Sequence, residues 1–283
     1  MKIIDAHLHF ANREGFKETA KNIGQLDYSA KGLRKEFENA NVVAGVVMGT
    51  AYREFGQSLI DSQEVALEDG TLNCLLSCVG INTEKLKADK RELISIERLL
   101  QNSNVTGIKI YAGYFPYYVY DSIYDPVYEL ARKYRVPVAI HSGDTQSRRG
   151  LLKYSHPLTI DELAVKYEDI KFIICHMGVP WVMDTAELVL KNPNVYTDLS
   201  GLIAGNSNQV KAMKNKRLYV DLIRQGLEFA DRYDKVIFGS DWPLVPIGPY
   251  VEFIKHIIPK IHHEDVFYRN ALNVYPKIKK LIE

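Results

Sequence analysis

The sequence predicts a closed (β/α)8, or TIM-type, barrel with a helical extension at its C-terminus. Three observations carry this expectation: eight short apolar runs recur along the 283 residues, segments with helical spacing separate them, and polar residues fall at the ends of the runs. The runs are IIDAHLHF from residue 3, VVAGVVMG from 42, NCLLSCVGI from 73, VTGIKIYAG from 105, PVAIHSG from 137, KFIICHMG from 171, VYTDLSG from 195 and KVIFGSDW from 235. Their starts lie 24 to 40 residues apart, which leaves room in each unit for a strand, a helix and two loops. Between them, SLIDSQEVALEDG, TEKLKADKRELISIERLLQ, DPVYELARKY, TIDELAVKY and VMDTAELVLKN carry apolar residues at helical spacing, and many open on Ser, Thr or Asp. Several runs are almost wholly apolar, as befits strands buried between a barrel interior and a helix layer. Eight parallel units in about 250 residues fit a closed barrel better than an open sheet. No linker or low-complexity stretch interrupts the series, so one domain over 1–283 is expected. Residues from 248 onward, with EDVFYRNALNVY as their most helical part, should pack on the outside of the wall.

Composition narrows the function. Hydrophobic residues make up 46% of the chain, enough for a sizeable core. Thirty-six Lys and Arg against 35 Asp and Glu leave a formal charge of +1, so no global field attracts nucleic acid or an anionic membrane. The densest basic stretch, KAMKNKR at 211–217, reads as a solvated helix face. Cys74, Cys78 and Cys175 sit in apolar runs and read as reduced core residues. No apolar run approaches the roughly 18 residues of a membrane helix, and the first strand begins at residue 3 with no leader before it; a cytoplasmic protein is expected. A small-molecule substrate is the expected partner, and a homodimer is compatible with this composition.

The polar strand ends carry the chemistry. Strand alternation puts Asp5, His7 and His9 on one face of the first strand. Residues two apart on a strand lie roughly 6.7 Å apart, and two imidazole nitrogens on one metal are about 3.4 Å apart, a difference that two leaning rings can span. A lone histidine in a strand is more often a satisfied core residue, so the pair gains meaning only from the rest of the chain. Lys109 lies near the end of strand 4, His141 ends strand 5, His176 ends strand 6 and Asp241 ends strand 8, at the barrel end where side chains from all strands converge. His256, His262 and His263 fall in the tail and read as surface residues. Three imidazoles and a carboxylate suit a borderline divalent ion such as zinc with a position left for water. Asp241 could hold that water and take its proton, and His176 could polarise a carbonyl or act as general acid or base.

IDAHLHF, GIKIY, VPVAIHSG, FIICHMG, VYTDLSG, FGSDWP and RNALNVY, in this order and spacing, resemble the amidohydrolase superfamily, and within it the amidohydrolase-related (type 2) branch. The resemblance runs along nearly the whole chain. It implies a metal-dependent hydrolase of amide, ester or lactone bonds, or a non-oxidative decarboxylase of unsaturated or aromatic carboxylic acids. It also implies His7, His9, His141 and Asp241 as the metal set and His176 as the catalytic histidine. One divalent ion is expected, zinc foremost, with manganese or iron as alternatives. In two-metal members a lysine ending strand 4 is carbamylated and bridges both ions; here Lys109 is expected as an uncarbamylated neighbour or substrate contact. Some relatives hydrolyse lactones without metal. A nuclease is disfavoured by Lys109 in place of the glutamate that nucleases of the superfamily carry, and a barrel that only binds its ligand by the completeness of the ligand set.

Substrate contacts are expected from the loops after the strands. Arg53 follows strand 2, Tyr111 and Tyr114 follow strand 4, and Arg148 and Arg149 follow strand 5. Arginine offers a fork to a carboxylate and tyrosines can wall a ring-shaped ligand, although each alone could be a loop charge or a packed aromatic. Together they point to a small carboxylated substrate, with a cyclic ester or amide as the leading expectation.

Overall fold

The structure is a computed structural model that describes residues 1–11, 13–50, 73–89 and 91–282. Eight parallel strands follow one another in space as in sequence: β1 (Ile3–Leu8), β2 (Val42–Met48), β3 (Leu75–Gly80), β4 (Val105–Ile110), β5 (Val138–Ile140), β6 (Phe172–Ile174), β7 (Val195–Asp198) and β8 (Val236–Ile237). β8 has only two residues, and hydrogen bonds from beyond it complete the ring. Ala6 N–H donates to Phe238 O at 3.0 Å, Asp241 N–H to His7 O at 2.8 Å and His9 N–H to Trp242 O at 2.7 Å. The chain is thus the (β/α)8 barrel that its strand spacing predicts. The helix expected near residues 58–70 lies outside the described residues, as does Arg53.

Strand alternation sorts the barrel into two apolar layers. Ala44 and Val46 on β2, Leu76 and Cys78 on β3, Ala139 on β5, Ile173 on β6 and Ile237 on β8 form the interior cluster. The residues at alternate positions, among them Val47, Val79, Ile108, Val138, Ile140, Ile174, Val195 and Val236, pack against the surrounding helices. This double burial explains why the strands read as nearly continuous apolar runs. β1 departs from strict alternation. Its pairing with β2 slips between Asp5 and Leu8, and Ile4 and Ala6 join the interior cluster while His7 also reaches inward to Asp198. Asp5 therefore does not share the face of His7, contrary to the alternation read from sequence; its carboxylate meets Ser240 instead.

Capping follows the expected chemistry. Ser29 Oγ accepts Gly32 N–H at 3.0 Å to open Ala30–Ala40, and Asn206 forms a capping box with Gln209 at the start of Ser207–Met213. The 211–217 stretch is largely exposed, as a solvated face should be. Cys78 and Cys175 are buried, Cys74 is half-buried, and all three are free. The tail corrects one expectation. Ala271, Val274, Tyr275 and Ile278 belong to the interior cluster, and Asn270 Nδ2 donates to the carbonyls of Tyr233 and Val236 at the foot of β8, so part of the extension stoppers the barrel instead of lying outside. His262 and His263 are half-buried, His262 stacked on Tyr233 at 4.0 Å and His263 hydrogen-bonded to Ile258 O, whereas His256 is exposed. Among the described residues no helix is long and apolar enough to cross a membrane.

Closure leaves no room at Gly239, where a Cβ would lie 2.6 Å from His7 Cβ and 3.1 Å from His7 N. Backbone on both sides of this contact is fixed by the ring of strands. Gly239→Ala is expected to destabilise the protein by about 1–3 kcal/mol through overpacking, measured by chemical denaturation.

Candidate metal and catalytic site

The polar residues gather where the strands end. His7 is within β1 and His9 just past it; His141, His176 and Asp241 lie one to four residues beyond β5, β6 and β8. Two of them sit in backbone conformations that a non-glycine residue adopts only under constraint, with φ of +60° at both His176 and Asp241. Gly201 faces them, itself at φ +62°, and a Cβ there would lie 2.6 Å from His176 Nδ1 and 2.7 Å from Asp241 Oδ2. The site is packed to the limit that glycine allows.

His7, His9 and Asp241 form a cluster whose ligand atoms all lie within 4.8 Å of one another. Asp241 Oδ1 is 3.1 Å from His9 Nε2 and 3.6 Å from His7 Nε2, which brackets the roughly 3.4 Å between two ligand atoms that share one ion at 2.1 Å. His7 Nε2 and Asp241 Oδ1 are buried without a hydrogen-bond partner among the described residues, as is His9 Nδ1. Unsatisfied buried lone pairs are costly, and a cation would satisfy several at once. The residues present therefore fit a divalent ion.

His7 is oriented for that task from behind. Its Nδ1 is 2.8 Å from Asp198 Oδ2, so the ring proton belongs on Nδ1 and the lone pair on Nε2, toward Asp241. Asp198 Oδ1 accepts the His176 and Ser200 amides at 2.9 and 3.1 Å and the Ser200 hydroxyl at 2.5 Å. Neither Asp198 nor Ser200 is among the residues expected to form the site. The signal was in VYTDLSG, since Asp198 ends β7 just as His141, His176 and Asp241 follow their strands.

His141 stands apart from the cluster, and both of its nitrogens are engaged. Nδ1 is 3.1 Å from His176 Nε2 and Nε2 is 2.9 Å from Asp144 O. His176 joins this pair to the cluster, its Nδ1 2.9 Å from Ser200 Oγ and 3.9 Å from Asp241 Oδ2. Lys109 is buried, and its Nζ donates to Cys175 Sγ at 2.9 Å. Above these groups opens a cavity of about 280 Å³, walled by Phe16, Tyr111, Tyr114 and Leu202 and reached by His9, Lys109, His141, His176 and Asp241. Tyr111 OH donates to Gly49 O and Tyr114 OH accepts Gln146 N–H, so both rings are fixed walls. Arg148 and Arg149 are exposed and do not line this cavity.

Burial sets the charges. It pushes His7 down to about 4, helped by Lys109, and holds His141 and His176 below the usual histidine range. Burial alone would raise Asp198 and Asp241, but the surrounding imidazoles hold both well below the usual carboxylate range. Neutral imidazoles beside ionised carboxylates are the protonation states that metal binding needs.

A model of the amidohydrolase family matches residues 4–277. The chain belongs to the amidohydrolase family. Over 110 residues it is 24% identical to protein fluG of Emericella nidulans, a match covering 39% of this chain and only 12% of that protein's length. Solved structures share the fold over nearly its whole extent. An uncharacterised TIM-barrel protein from Bordetella bronchiseptica has a TM-score of 0.72 at 19% identity, covering 99% of this chain and 100% of that one. A probable 2-pyrone-4,6-dicarboxylic acid hydrolase from Acinetobacter baumannii, solved with citric acid, has 0.66 at 15%, covering 98% and 100%. A dihydroxybenzoic acid decarboxylase from Polaromonas sp. JS666, solved with manganese and 2-nitroresorcinol, has 0.66 at 14%, covering 97% of each chain. This amidohydrolase-family chain is an enzyme whose fold is shared by hydrolases and decarboxylases.

Acid should weaken the metal-free enzyme. Between pH 6.5 and about 4 an unfolded chain binds a proton that buried His7 refuses, so stability is lost as pH falls through that window; His141 and His176 act in the same direction. Asp5, pushed up to about 7 by burial, acts oppositely, its contribution lost as pH rises from 3.8. The three histidines, joined by Asp198 and Asp241, whose carboxyls are held below their usual range, all act against Asp5. Unfolding free energy of the metal-free protein at pH 4.5 is expected to be lower than at pH 7, and denaturant titration at both values checks it.

Proposed function

We propose that the chain is a hydrolase of a small carboxylated cyclic ester or amide that works with one divalent ion held by His7, His9 and Asp241. The observation that carries this reading is the cluster of three buried ligand residues with unsatisfied lone pairs at the floor of a cavity large enough for a single-ring substrate. An ion bound there supplies Lewis acidity, lowering the pKa of water and polarising a carbonyl. Zinc suits the nitrogen and oxygen donors, and manganese, bound in the Polaromonas decarboxylase of the same fold, suits the carboxylate.

The protein's own groups move the protons. Asp241 has one oxygen toward the histidines of β1 and the other, Oδ2, toward His176 Nδ1, so it can accept a proton from water and pass it on. His141 must donate from Nε2 to the Asp144 carbonyl, which leaves its Nδ1 to accept from His176 Nε2–H. Neutral His176 then presents a lone pair at Nδ1 to the Ser200 hydroxyl. Once protonated there, it finds the Ser200 carbonyl at 3.1 Å, and the hydroxyl turns to Asp198 Oδ1. Partners thus stand ready for both protonation states, as a group that gives and takes a proton requires. Lys109 at the cavity floor supplies the cationic contact for a substrate carboxylate. Tyr111 and Tyr114 wall its ring.

Non-oxidative decarboxylation of an unsaturated or aromatic acid is the second reading, favoured by the manganese-containing decarboxylase of the same fold. Both readings predict that chelation abolishes turnover, that added Zn²⁺ or Mn²⁺ restores it, and that Asp241→Asn lowers kcat by about 10²–10⁴-fold. Release of carbon dioxide from a panel of cyclic carboxylates separates them. Ring opening without gas establishes the hydrolase, and stoichiometric gas release establishes the decarboxylase.

A further inference from the structure

Asp5 is fully buried in the seam that closes the barrel, outside the cavity lining. Between the rungs made by Ala6 and Asp241, the amides of His7 and Ser240 both donate to Asp5 Oδ1, at 3.3 and 2.9 Å. Asp5 Oδ2 accepts the Ser240 hydroxyl at 2.5 Å, and Ser240 Oγ in turn accepts Trp242 N–H at 3.0 Å. The residues on both sides of Asp241 are therefore tied to one carboxylate. Asp241 between them holds φ +60°, a left-handed conformation that a non-glycine residue keeps only where its surroundings dictate it.

We propose that Asp5, acting through Ser240, is the positioning residue that holds the Asp241 carboxylate opposite His7 and His9. The slip in β1 turns Asp5 out of the interior face and delivers it to Ser240, while His7 stays inward, so one irregularity supplies both a ligand and the brace for another ligand. The inference rests on reading His7, His9 and Asp241 as the metal site.

Ser240→Ala removes the hydroxyl link and leaves all three ligands in place; Asp5→Asn keeps the shape and turns one acceptor into a donor. Both are expected to raise the Mn²⁺ dissociation constant about 10- to 100-fold by isothermal titration calorimetry on folded protein. Thr83→Val removes a comparable buried hydroxyl bond, to Tyr124, and is expected to leave Mn²⁺ affinity unchanged. In a crystal structure of metal-free Ser240→Ala, the Asp241 carboxylate is expected to have left its places 3.1 Å from His9 and 3.6 Å from His7. Affinities within twofold of wild type in both variants, or an Asp241 carboxylate unmoved in the metal-free structure, would overturn the proposal. A wild-type protein that binds no Mn²⁺ would overturn the metal reading instead, and the metal-free structure would still decide the role of Asp5.

Discussion

The ring of strands closes between β1 and the chain beyond β8, and the geometry of that closure sets everything built around it. A two-residue last strand cannot make a full ladder, so closure falls to Phe238, Asp241 and Trp242, which exchange backbone bonds with Ala6, His7 and His9. Those bonds bring together the two ends of the candidate site. His7 and His9 come from the first strand and Asp241 from the last turn before the tail, and their separation is set by hydrogen-bond geometry in the seam. Gly239 and Gly201 are small because backbone and side chains must pass so close there.

Electrostatics follows from that crowding. Burial strips water from four imidazoles, a lysine and three carboxylates within one volume. His7, His141 and His176 so placed resist protonation, Asp198 and Asp241 among them resist neutralisation by protons, and Asp5, away from the imidazoles, is pushed the other way. The outcome is a surplus of acceptors over donors at the floor of the cavity, visible as orphaned atoms on His7 and Asp241. Asp198 and Ser200 distribute the remaining protons, each touching both His7 and His176.

Much of this could be read from sequence, for physical reasons. Strands buried on both faces leave continuous apolar runs, and eight of them with room for a helix between each pair specify the barrel. That His7, His9, His176 and Asp241 gather in one place was legible because costly polar groups at strand ends need a shared explanation. Asp198 obeys the same rule but is not legible, because a single aspartate in VYTDLSG has no spacing pattern to mark it. The slip in β1 was not legible at all: alternation assumes a regular strand, and nothing in IIDAHLHF announces where the register changes. Nor was the stopper role of Ala271–Ile278, since an amphipathic tail looks alike whether it lies on a wall or plugs an end. Arg148 and Arg149 show the converse limit. A charge in the right loop can still point to solvent.

The tail that stoppers the barrel bears on how the molecule comes into being. Tyr275 and Ile278 complete the same interior cluster that Ile4 and Ala6 begin, and Asp241 meets His7 across almost the full length of the chain. During synthesis on a ribosome, the first strand waits for the last one before either can be sealed. Until then His7 and His9 lack their carboxylate partner and the interior stands open from below. The metal site proposed above therefore cannot assemble until residues 236–242 have been made, and a chain cut short of them would leave His7 and His9 without Asp241.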